Sequence, residues 1–203
     1  MAMVALIPVK PLARVKSRLA GALDDKARAR LIQDTLRHTI LAIRESGLLE
    51  TVFVLTRDRL VAAWAEDWGA HVVWERCAGL NRSLEIGRRH VLMQRRGLTR
   101  LLVAPADLGW LHAEDVTGMT ALLPADGPAV VVAPDRHDQG TNALLLQPPA
   151  VIPFCFGAGS AHAHADQARA RGAQVFCYHS SSTSLDVDEP ADLSLYCAAP
   201  YVW

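Results

Sequence analysis

Three aspartates lie just after or between apolar segments of the chain, where an α/β protein places its ligand-binding side chains. Asp107 follows an apolar run by three residues, and Asp186 and Asp188 precede Pro190. Side chains two residues apart in an extended segment point to one side, so both carboxylates can share a hard cation such as Mg²⁺. The alternative is that Asp188 or Glu189 only caps a helix that begins at Pro190.

A basic loop follows the first apolar run of the chain. It carries four cations within nine residues: Lys10, Arg14, Lys16 and Arg18. Lysine and the bidentate guanidinium of arginine hold triphosphates by ion pairing, although a solvated surface loop would have the same composition. The loop contains neither G-x-G-x-x-G nor G-x-x-x-x-G-K-[ST], which weakens a dinucleotide-dependent oxidoreductase and a P-loop ATPase as interpretations.

Three carboxylates and a basic loop are the groups that nucleotidyl transfer requires. Mg²⁺ neutralises phosphate oxygens and aligns an in-line displacement, while lysine and arginine stabilise the developing charge. A phosphate monoester nucleophile, with a second pKa near ~6, is already ionised at neutral pH and needs no strong base. The sequence therefore predicts a Mg²⁺-dependent transferase without a catalytic histidine. Its predicted catalytic residues are Lys10, Lys16, Arg18 and Asp107.

Two further polar segments suit the capture of an anion. Residues 135–142 lie between apolar runs and end with Thr141 and Asn142, and Gly157 and Ser160 precede a helical pattern. Glycine lets the backbone approach a ligand closely, and a serine at a helix start presents its hydroxyl beside free amide groups. A turn followed by an ordinary helix cap would have the same sequence.

His162, His164 and Asp166 have the composition of a zinc site. Residues two apart on a helix point in different directions, so these three side chains cannot converge on one ion. We interpret His164 as a surface histidine of the helix that could still reach a ligand beside Ser160.

Strands and helices alternate along the chain to position these residues. Continuous apolar runs, typical of strands covered on both faces, occupy residues 4–9, 51–56, 71–74, 101–104, 129–133, 142–147 and 174–179. One helix face, ending before Gly47, is formed by Ile32, Leu36, Ile40 and Ile43. Other helical patterns cover residues 58–68, 81–96, 113–123, 160–171 and 190–198, and the serines at 180–182 are interpreted as a surface loop. The alternation predicts one doubly wound α/β domain over residues 1–203, with a mostly parallel sheet and helices on both faces.

The composition is that of an ordinary globular protein. Hydrophobic residues make up 51%, and 21 basic side chains balance 21 acidic ones, which argues against nucleic acid or an anionic membrane as a partner. No apolar run approaches the ~20 residues that span a bilayer, no signal peptide is recognisable, and the four cysteines form no CxxC pair. We therefore expect a cytoplasmic protein with small-molecule partners. The apolar segment 196–203 suits either a homodimer contact or a docked terminus.

Six segments, taken in order, resemble one enzyme family. They are residues 7–19, 79–81, 105–108, 140–143, 156–160 and 185–193. Over nearly its whole length the chain is similar to the phospholactate guanylyltransferases, which act in the biosynthesis of the deazaflavin coenzyme F420. Each segment is weak alone, and the combination in this order is specific.

The resemblance implies a nucleotide-diphospho-sugar-transferase-like fold and a requirement for GTP and Mg²⁺. It implies GMP transfer to a phosphorylated acid: 2-phospho-L-lactate, phosphoenolpyruvate or 3-phospho-D-glycerate. The positions that match metal-binding aspartates are Asp107, Asp186 and Asp188. The positions that match acceptor-binding residues are Thr141, Gly157 and Ser160, and Asn81 with the basic loop matches those that hold GTP. Many relatives have a proline after the Asp-Leu pair, whereas this chain has Gly109 and Trp110, which leaves the identity of the acid open.

Two other interpretations compete with this one. A sugar-phosphate or molybdopterin nucleotidyltransferase of similar fold would carry a glycine-rich first loop, whereas no glycine precedes Gly21 here. A non-catalytic nucleotide-binding regulatory domain would keep the basic loop but would have no need for three acids. The three aspartates therefore favour an enzyme.

Overall fold

Alternating apolar runs and amphipathic segments build a sheet with helices on both of its faces. The structure, a computed structural model, describes residues 2–14, 19–188 and 190–198. The strands are β1 (Ala2–Pro8), β2 (Thr51–Thr56), β3 (His71–Trp74), β4 (Leu98–Val103), β5 (Ala129–Pro134), β6 (Thr141–Gln147) and β7 (Gln174–Cys177). The α-helices are α1 (Asp25–Glu45), α2 (Arg59–Asp67), α3 (Leu80–Gln94), α4 (Ala113–Ala121), α5 (Ser160–Ala170), α6 (Ser181–Ser184) and α7 (Pro190–Ala198), and a 3₁₀ helix covers Leu12–Arg14.

The strands form one sheet in the order β3-β2-β1-β4-β6-β5-β7. Neighbouring strands are parallel except in the two pairs that include β6, which runs antiparallel to both β4 and β5. The predicted α/β fold with a mostly parallel sheet is confirmed.

The direction of β6 differs from what its apolar run indicated. A continuous apolar run is typical of a buried parallel strand, yet β6 is antiparallel although all of its residues are buried. Residues 135–140 alone join β5 to β6, and a parallel crossover needs about a dozen residues or more. The short connection therefore decides the direction, and helices on both faces bury the strand in either case.

Successive residues of each strand point to opposite faces of the sheet, and the core is divided accordingly. In β1, Met3, Ala5 and Ile7 contact one hydrophobic cluster, which α1, α2 and α4 complete. Val4 and Leu6 contact a second cluster, which α3 and α5 complete. The sheet is therefore covered on both faces, as a doubly wound fold requires.

The predicted helix bounds agree with the structure to within two residues at each end for α2, α3, α4, α5 and α7. The residues expected on one face of α1 are all buried: Ile32, Leu36, Ile40 and Ile43. The serine run does not form a surface loop, because Ser181–Ser184 form α6. Within the described ranges, no helix combines the length and the hydrophobicity needed to cross a bilayer.

Candidate active site

The carboxyl ends of the central parallel strands form the edge at which the candidate residues meet. β1 and β4 are parallel neighbours with Leu6 beside Val103, so the basic loop and the turn that carries Asp107 leave the sheet side by side. β6 runs in the opposite direction, with Leu144 beside Val103, so Thr141 enters the sheet at this same edge. Ligands of doubly wound folds bind at such an edge.

Three half-buried aspartates converge at this edge. Asp107, Asp186 and Asp188 each offer a carboxylate oxygen, and these oxygens lie within 4.8 Å of one another. The backbone N–H of Val187 donates to the carbonyl oxygen of Asp107 at 3.4 Å, which joins the two segments. A set of carboxylate oxygens suits a hard cation such as Mg²⁺, so these residues fit the predicted ion. Their role as metal ligands stays a prediction.

The buried carboxylate of Asp192, paired with the exposed Arg136, fixes the backbone of Asp188. The carboxylate of Asp192, in the first turn of α7 and 1% exposed, accepts a hydrogen bond from the backbone N–H of Asp188 at 3.1 Å. Its other oxygen lies 2.6 Å from the guanidinium of Arg136, in the connection between β5 and β6. We did not predict this contact, because neither residue carries a local signal that points to the other.

A second network holds the segment that leads into Asp186. The buried carboxylate of Asp115 accepts hydrogen bonds from the hydroxyls of Ser180 and Ser182, both at 2.7 Å. Asn142 donates from Nδ2 to the carbonyl oxygen of Thr183 at 3.0 Å. The structure therefore gives Asn142 a supporting contact with α6, and its predicted contact with the substrate stays a prediction.

Gly109 and Trp110 contact the C-terminal helix. A Cβ atom at Gly109 would lie 2.4 Å from Cε2 of Tyr196, so no larger residue fits without movement of the ring. The Trp110 ring packs edge-to-face against Tyr196, with centroids 5.3 Å apart. Gly109 and Trp110 therefore pack α7 next to the aspartate cluster.

The basic loop is described only in part. Lys10 is exposed at the end of β1, and the backbone N–H of Leu12 donates to Oδ2 of Asp58 at 2.9 Å, which fixes the loop against the turn after β2. Lys16 and Arg18 lie outside the described residues, as does the side chain of Arg14. The nucleotide-binding role of Lys10, Arg14, Lys16 and Arg18 stays a prediction.

Asn81, predicted to bind the nucleotide, makes two hydrogen bonds to one backbone position. Its Nδ2 donates to the carbonyl oxygen of Phe156 at 3.0 Å, and its Oδ1 accepts from the N–H of Phe156 at 2.7 Å. The first turn of α3 therefore holds the residue that precedes Gly157. A contact of Asn81 with the nucleotide stays a prediction.

Two predicted acceptor-binding hydroxyls lie together although they come from different elements. Ser160 begins α5 and Thr141 begins β6, and Ser160 Oγ donates to Thr141 Oγ1 at 3.1 Å. Gly157 and Gly159 have φ values of 139° and 70°, in the left-handed region that favours glycine. The structure therefore brings Thr141, Gly157 and Ser160 to one helix start, and their binding role stays a prediction.

Asp135 organises the connection between β5 and β6. This connection also contacts the start of α5. Burial opposes ionisation of its carboxyl, but backbone N–H groups of Gln139, Gly140 and His137 stabilise the carboxylate and hold its pKa below the ordinary value. A Cβ atom at Gly140 would lie 2.6 Å from Asp135 Oδ2, so the turn requires glycine there. The carbonyl oxygen of Gln139 accepts from the N–H of Ala161 at 3.0 Å.

His164 is not the surface histidine that we expected. It is 0% exposed, because it lies one helical turn after Ser160 on the face of α5 that packs on the sheet. Its Nδ1 lies 3.0 Å from Thr141 Oγ1, and its Nε2 accepts from the backbone N–H of Cys155 at 3.1 Å. Burial lowers the pKa of His164 from 6.5 to about 4, so the ring is neutral at pH 7. The neighbouring candidates for a zinc site, His162 and Asp166, are exposed.

Comparison with known proteins finds relatives over nearly the whole chain. A family model described as "Guanylyl transferase CofC like" matches residues 3–196. A protein of Sphaerobacter thermophilus named phosphoenolpyruvate guanylyltransferase is 38% identical over 95% of this chain and 91% of its own length. A protein of the same name from Rubrobacter xylanophilus is 39% identical over 96% and 93%. The crystal structure of a protein from Desulfovibrio desulfuricans described as a nucleotide-diphospho-sugar transferase matches with a TM-score of 0.74 and 16% identity, over 96% of this chain and 86% of that one.

Proposed function

Because the chain belongs to the CofC-like guanylyltransferase family, we propose that it transfers GMP from GTP to phosphoenolpyruvate and releases pyrophosphate. Two relatives that carry the name phosphoenolpyruvate guanylyltransferase align over at least 95% of the chain, which supports this acid over 2-phospho-L-lactate and 3-phospho-D-glycerate. The place of the reaction is the biosynthesis of coenzyme F420, as the family resemblance implies.

The observation that carries the proposal is the convergence of three carboxylates at the edge of the sheet where the hydroxyl pair also lies. The oxygens of Asp107, Asp186 and Asp188 lie within 4.8 Å of one another. Thr141 begins the antiparallel strand β6 at the same edge, and its hydrogen bond with Ser160 joins it to the start of α5. A nucleotidyltransferase needs this combination, because one group of residues handles phosphate charge and the other orients the acceptor.

Asp107, Asp186 and Asp188 are the residues that would hold Mg²⁺. When bound there, Mg²⁺ would neutralise phosphate oxygens of GTP and lower the cost of the charge that develops on pyrophosphate. The backbone contacts of Val187 with Asp107 and of Asp188 with Asp192 hold these carboxylates in place before any ligand arrives.

The residues of the chain divide the remaining work between the two substrates. Lys10 and the other cations of the basic loop bind the triphosphate, and the Thr141 hydroxyl, beside Ser160, donates a hydrogen bond to the acid. A phosphate oxygen of the acid attacks the α-phosphorus of GTP, and the bond from that phosphorus to the bridging oxygen of pyrophosphate breaks. The attacking phosphate is already ionised, so no residue has to remove a proton from it.

Pyrophosphate release tests the proposed reaction. The purified protein is incubated with GTP and Mg²⁺ together with phosphoenolpyruvate, 2-phospho-L-lactate, 3-phospho-D-glycerate, glucose 1-phosphate or no acceptor. We expect release with phosphoenolpyruvate and none without an acceptor. Release with the sugar phosphate alone would refute the acceptor class, and release with ATP or CTP but not GTP would refute the nucleotide.

A matched pair of variants tests the aspartate cluster. Asp188→Asn keeps the shape of the side chain but removes its charge, so we expect turnover to fall about 100-fold or more at saturating GTP. Asp126→Asn makes the same change at an exposed position outside the site and is expected to leave turnover intact. Equal activity of the two variants would remove Asp188 from the metal site.

The finer expectations about partners and location stay predictions. A homodimer contact at residues 196–203 concerns a segment of which residues 199–203 lie outside the described residues. Light scattering of the purified protein measures its mass in solution and decides between a monomer and a dimer. Fractionation of the source cells decides whether the protein is cytoplasmic.

A further inference from the structure

We propose that His164 is a positioning residue that makes the Thr141 hydroxyl donate its hydrogen bond toward the phosphorylated acid. The inference deepens the proposed function and rests on the acid binding at Thr141 and Ser160. His164 itself lies beneath these hydroxyls and does not touch the acid. Its effect is to set which group at the site donates and which accepts.

The donor and acceptor atoms of the His164 ring follow from its two contacts. The backbone N–H of Cys155 can only donate, and it points at Nε2 from 3.1 Å, so Nε2 carries a lone pair and no proton. In a neutral ring the single proton is then on Nδ1. Nδ1 lies 3.0 Å from Thr141 Oγ1, so His164 donates and Thr141 accepts.

The same count applied to Thr141 leaves one hydrogen to be donated. A threonine hydroxyl accepts at two lone pairs and donates one hydrogen. One lone pair accepts from Nδ1 of His164, and the other accepts from Ser160 Oγ at 3.1 Å. Among residues 2–14, 19–188 and 190–198, the Thr141 hydroxyl donates to no protein acceptor. An oxygen of a ligand is the partner that completes the set.

Burial and packing hold the His164 ring and the hydroxyls of Thr141 and Ser160 in this arrangement. His164 is 0% exposed, Ser160 is 1% exposed and Thr141 is 8% exposed, so little water competes for the two lone pairs. The ring of Phe156 packs edge-to-face against the imidazole with centroids 4.9 Å apart, which restricts its rotation. The pKa of His164, lowered to about 4 by burial, keeps the ring in its neutral form at physiological pH.

The consequence is a preference for ligands that only accept hydrogen bonds. Phosphate and carboxylate oxygens of an acid accept without donating, which matches a hydroxyl whose hydrogen points outward. If His164 did not donate, Thr141 could turn its hydrogen toward the protein and present a lone pair to the anion. Lone pairs facing an anion repel it, so loss of the donor should weaken binding of the acid and leave GTP unaffected.

Two amide substitutions separate the contacts of His164. In His164→Asn the amide atoms are bonded to Cγ, as Nδ1 is, so the amide can donate to Thr141 but cannot reach Cys155. In His164→Gln the amide atoms lie one bond further out, near the position of Nε2, so the side chain can accept from Cys155 but loses the bond to Thr141. The two variants have the same functional group and differ in which partner they keep.

Steady-state kinetics with GTP and phosphoenolpyruvate give the readout. We expect His164→Gln to raise the KM for phosphoenolpyruvate about 10-fold or more, the loss expected for one hydrogen bond to a charged group, with the KM for GTP unchanged. We expect the KM of His164→Asn for phosphoenolpyruvate to stay closer to that of the wild type. The opposite order, with Gln near wild type and Asn impaired, would show that His164 only supports the backbone of Cys155 and would overturn the proposal.

Binding measured without turnover separates this proposal from the proposed reaction. Calorimetric titration with phosphoenolpyruvate is run on the wild type, both His164 variants and Thr141→Val. Weaker binding of phosphoenolpyruvate by His164→Gln than by His164→Asn supports the proposal even if no pyrophosphate is released. In that case only the proposed reaction is wrong. A wild type that neither binds nor converts the acid overturns both.

Thr141→Val keeps the inference testable if a single substitution disturbs the fold. Removal of the hydroxyl removes the group through which His164 acts, so His164→Gln should have no additional effect on acid affinity in the Thr141→Val background. Additive losses in the double variant would contradict the proposal, because independent effects add.

Discussion

The buried imidazole of His164 predicts a specific loss of folding stability in mild acid. Its pKa is lowered from 6.5 to about 4 by burial, and the ring is 0% exposed. The folded-state pKa is below the unfolded one, so the proton binds more tightly to the unfolded chain. Stability is therefore complete above pH 6.5, declines as the pH falls, and stops declining below about pH 4.

The size of the loss follows from that difference. A shift of one pKa unit corresponds to about 1.4 kcal/mol, so the full effect is about 3 kcal/mol once both states are protonated. At pH 5 the unfolded chain is almost fully protonated at this ring while the folded protein is almost neutral there. The expected loss between pH 7 and pH 5 is about 2 kcal/mol from His164 alone.

Urea unfolding at pH 7, 6 and 5, followed by circular dichroism, measures this contribution. The wild type is compared with His164→Gln, which has no titrating group at this position and shares the other seven histidines. Between pH 7 and pH 5, the free energy of unfolding of the wild type should fall by about 2 kcal/mol more than that of the variant. The stability difference between the two proteins should therefore be smaller at pH 5 than at pH 7. Curves that fall in parallel would refute the view that the ring is held neutral by burial.

Three substitutions test the contacts around the aspartate cluster and the acceptor site. Gly109→Ala places a methyl group against the ring of Tyr196, so we expect a loss of about 1–3 kcal/mol in thermal unfolding, with reduced turnover. Arg136→Ala removes one partner, at 2.6 Å, of the buried carboxylate of Asp192, so we expect about 1–3 kcal/mol of destabilisation by denaturant unfolding and a fall in kcat. Asn81→Ala removes two hydrogen bonds to the loop before the acceptor site, and we expect a higher KM for the acid in steady-state assays.

Matched control variants accompany Gly109→Ala and Arg136→Ala. Gly21→Ala adds the same methyl group at a glycine with open space around it and a φ outside the left-handed region, so it isolates the effect of the clash at Gly109. Arg169→Ala removes an exposed arginine and should be nearly neutral. Wild-type stability of Arg136→Ala would show that its ion pair does not hold α7, and a raised KM for GTP alone in Asn81→Ala would assign that residue to the nucleotide instead.

Local patterns in the sequence determine much of this fold. The helix face formed by Ile32, Leu36 and Ile40 is buried as predicted, because a spacing of four residues is enough to place side chains on one side of a helix. The continuous apolar runs mark the strands, because helices cover both faces of the sheet. Asp186 and Asp188 point to a shared site through their spacing alone.

Only the tertiary structure decides contacts between segments that are distant along the chain. The convergence of Asp107 with Asp186 and Asp188 depends on the path of the chain between them, which no local pattern encodes. The burial of His164 shows the same limit. Histidine is a residue type found both buried and exposed, and the burial of His164 is set by the sheet against which that face of α5 packs.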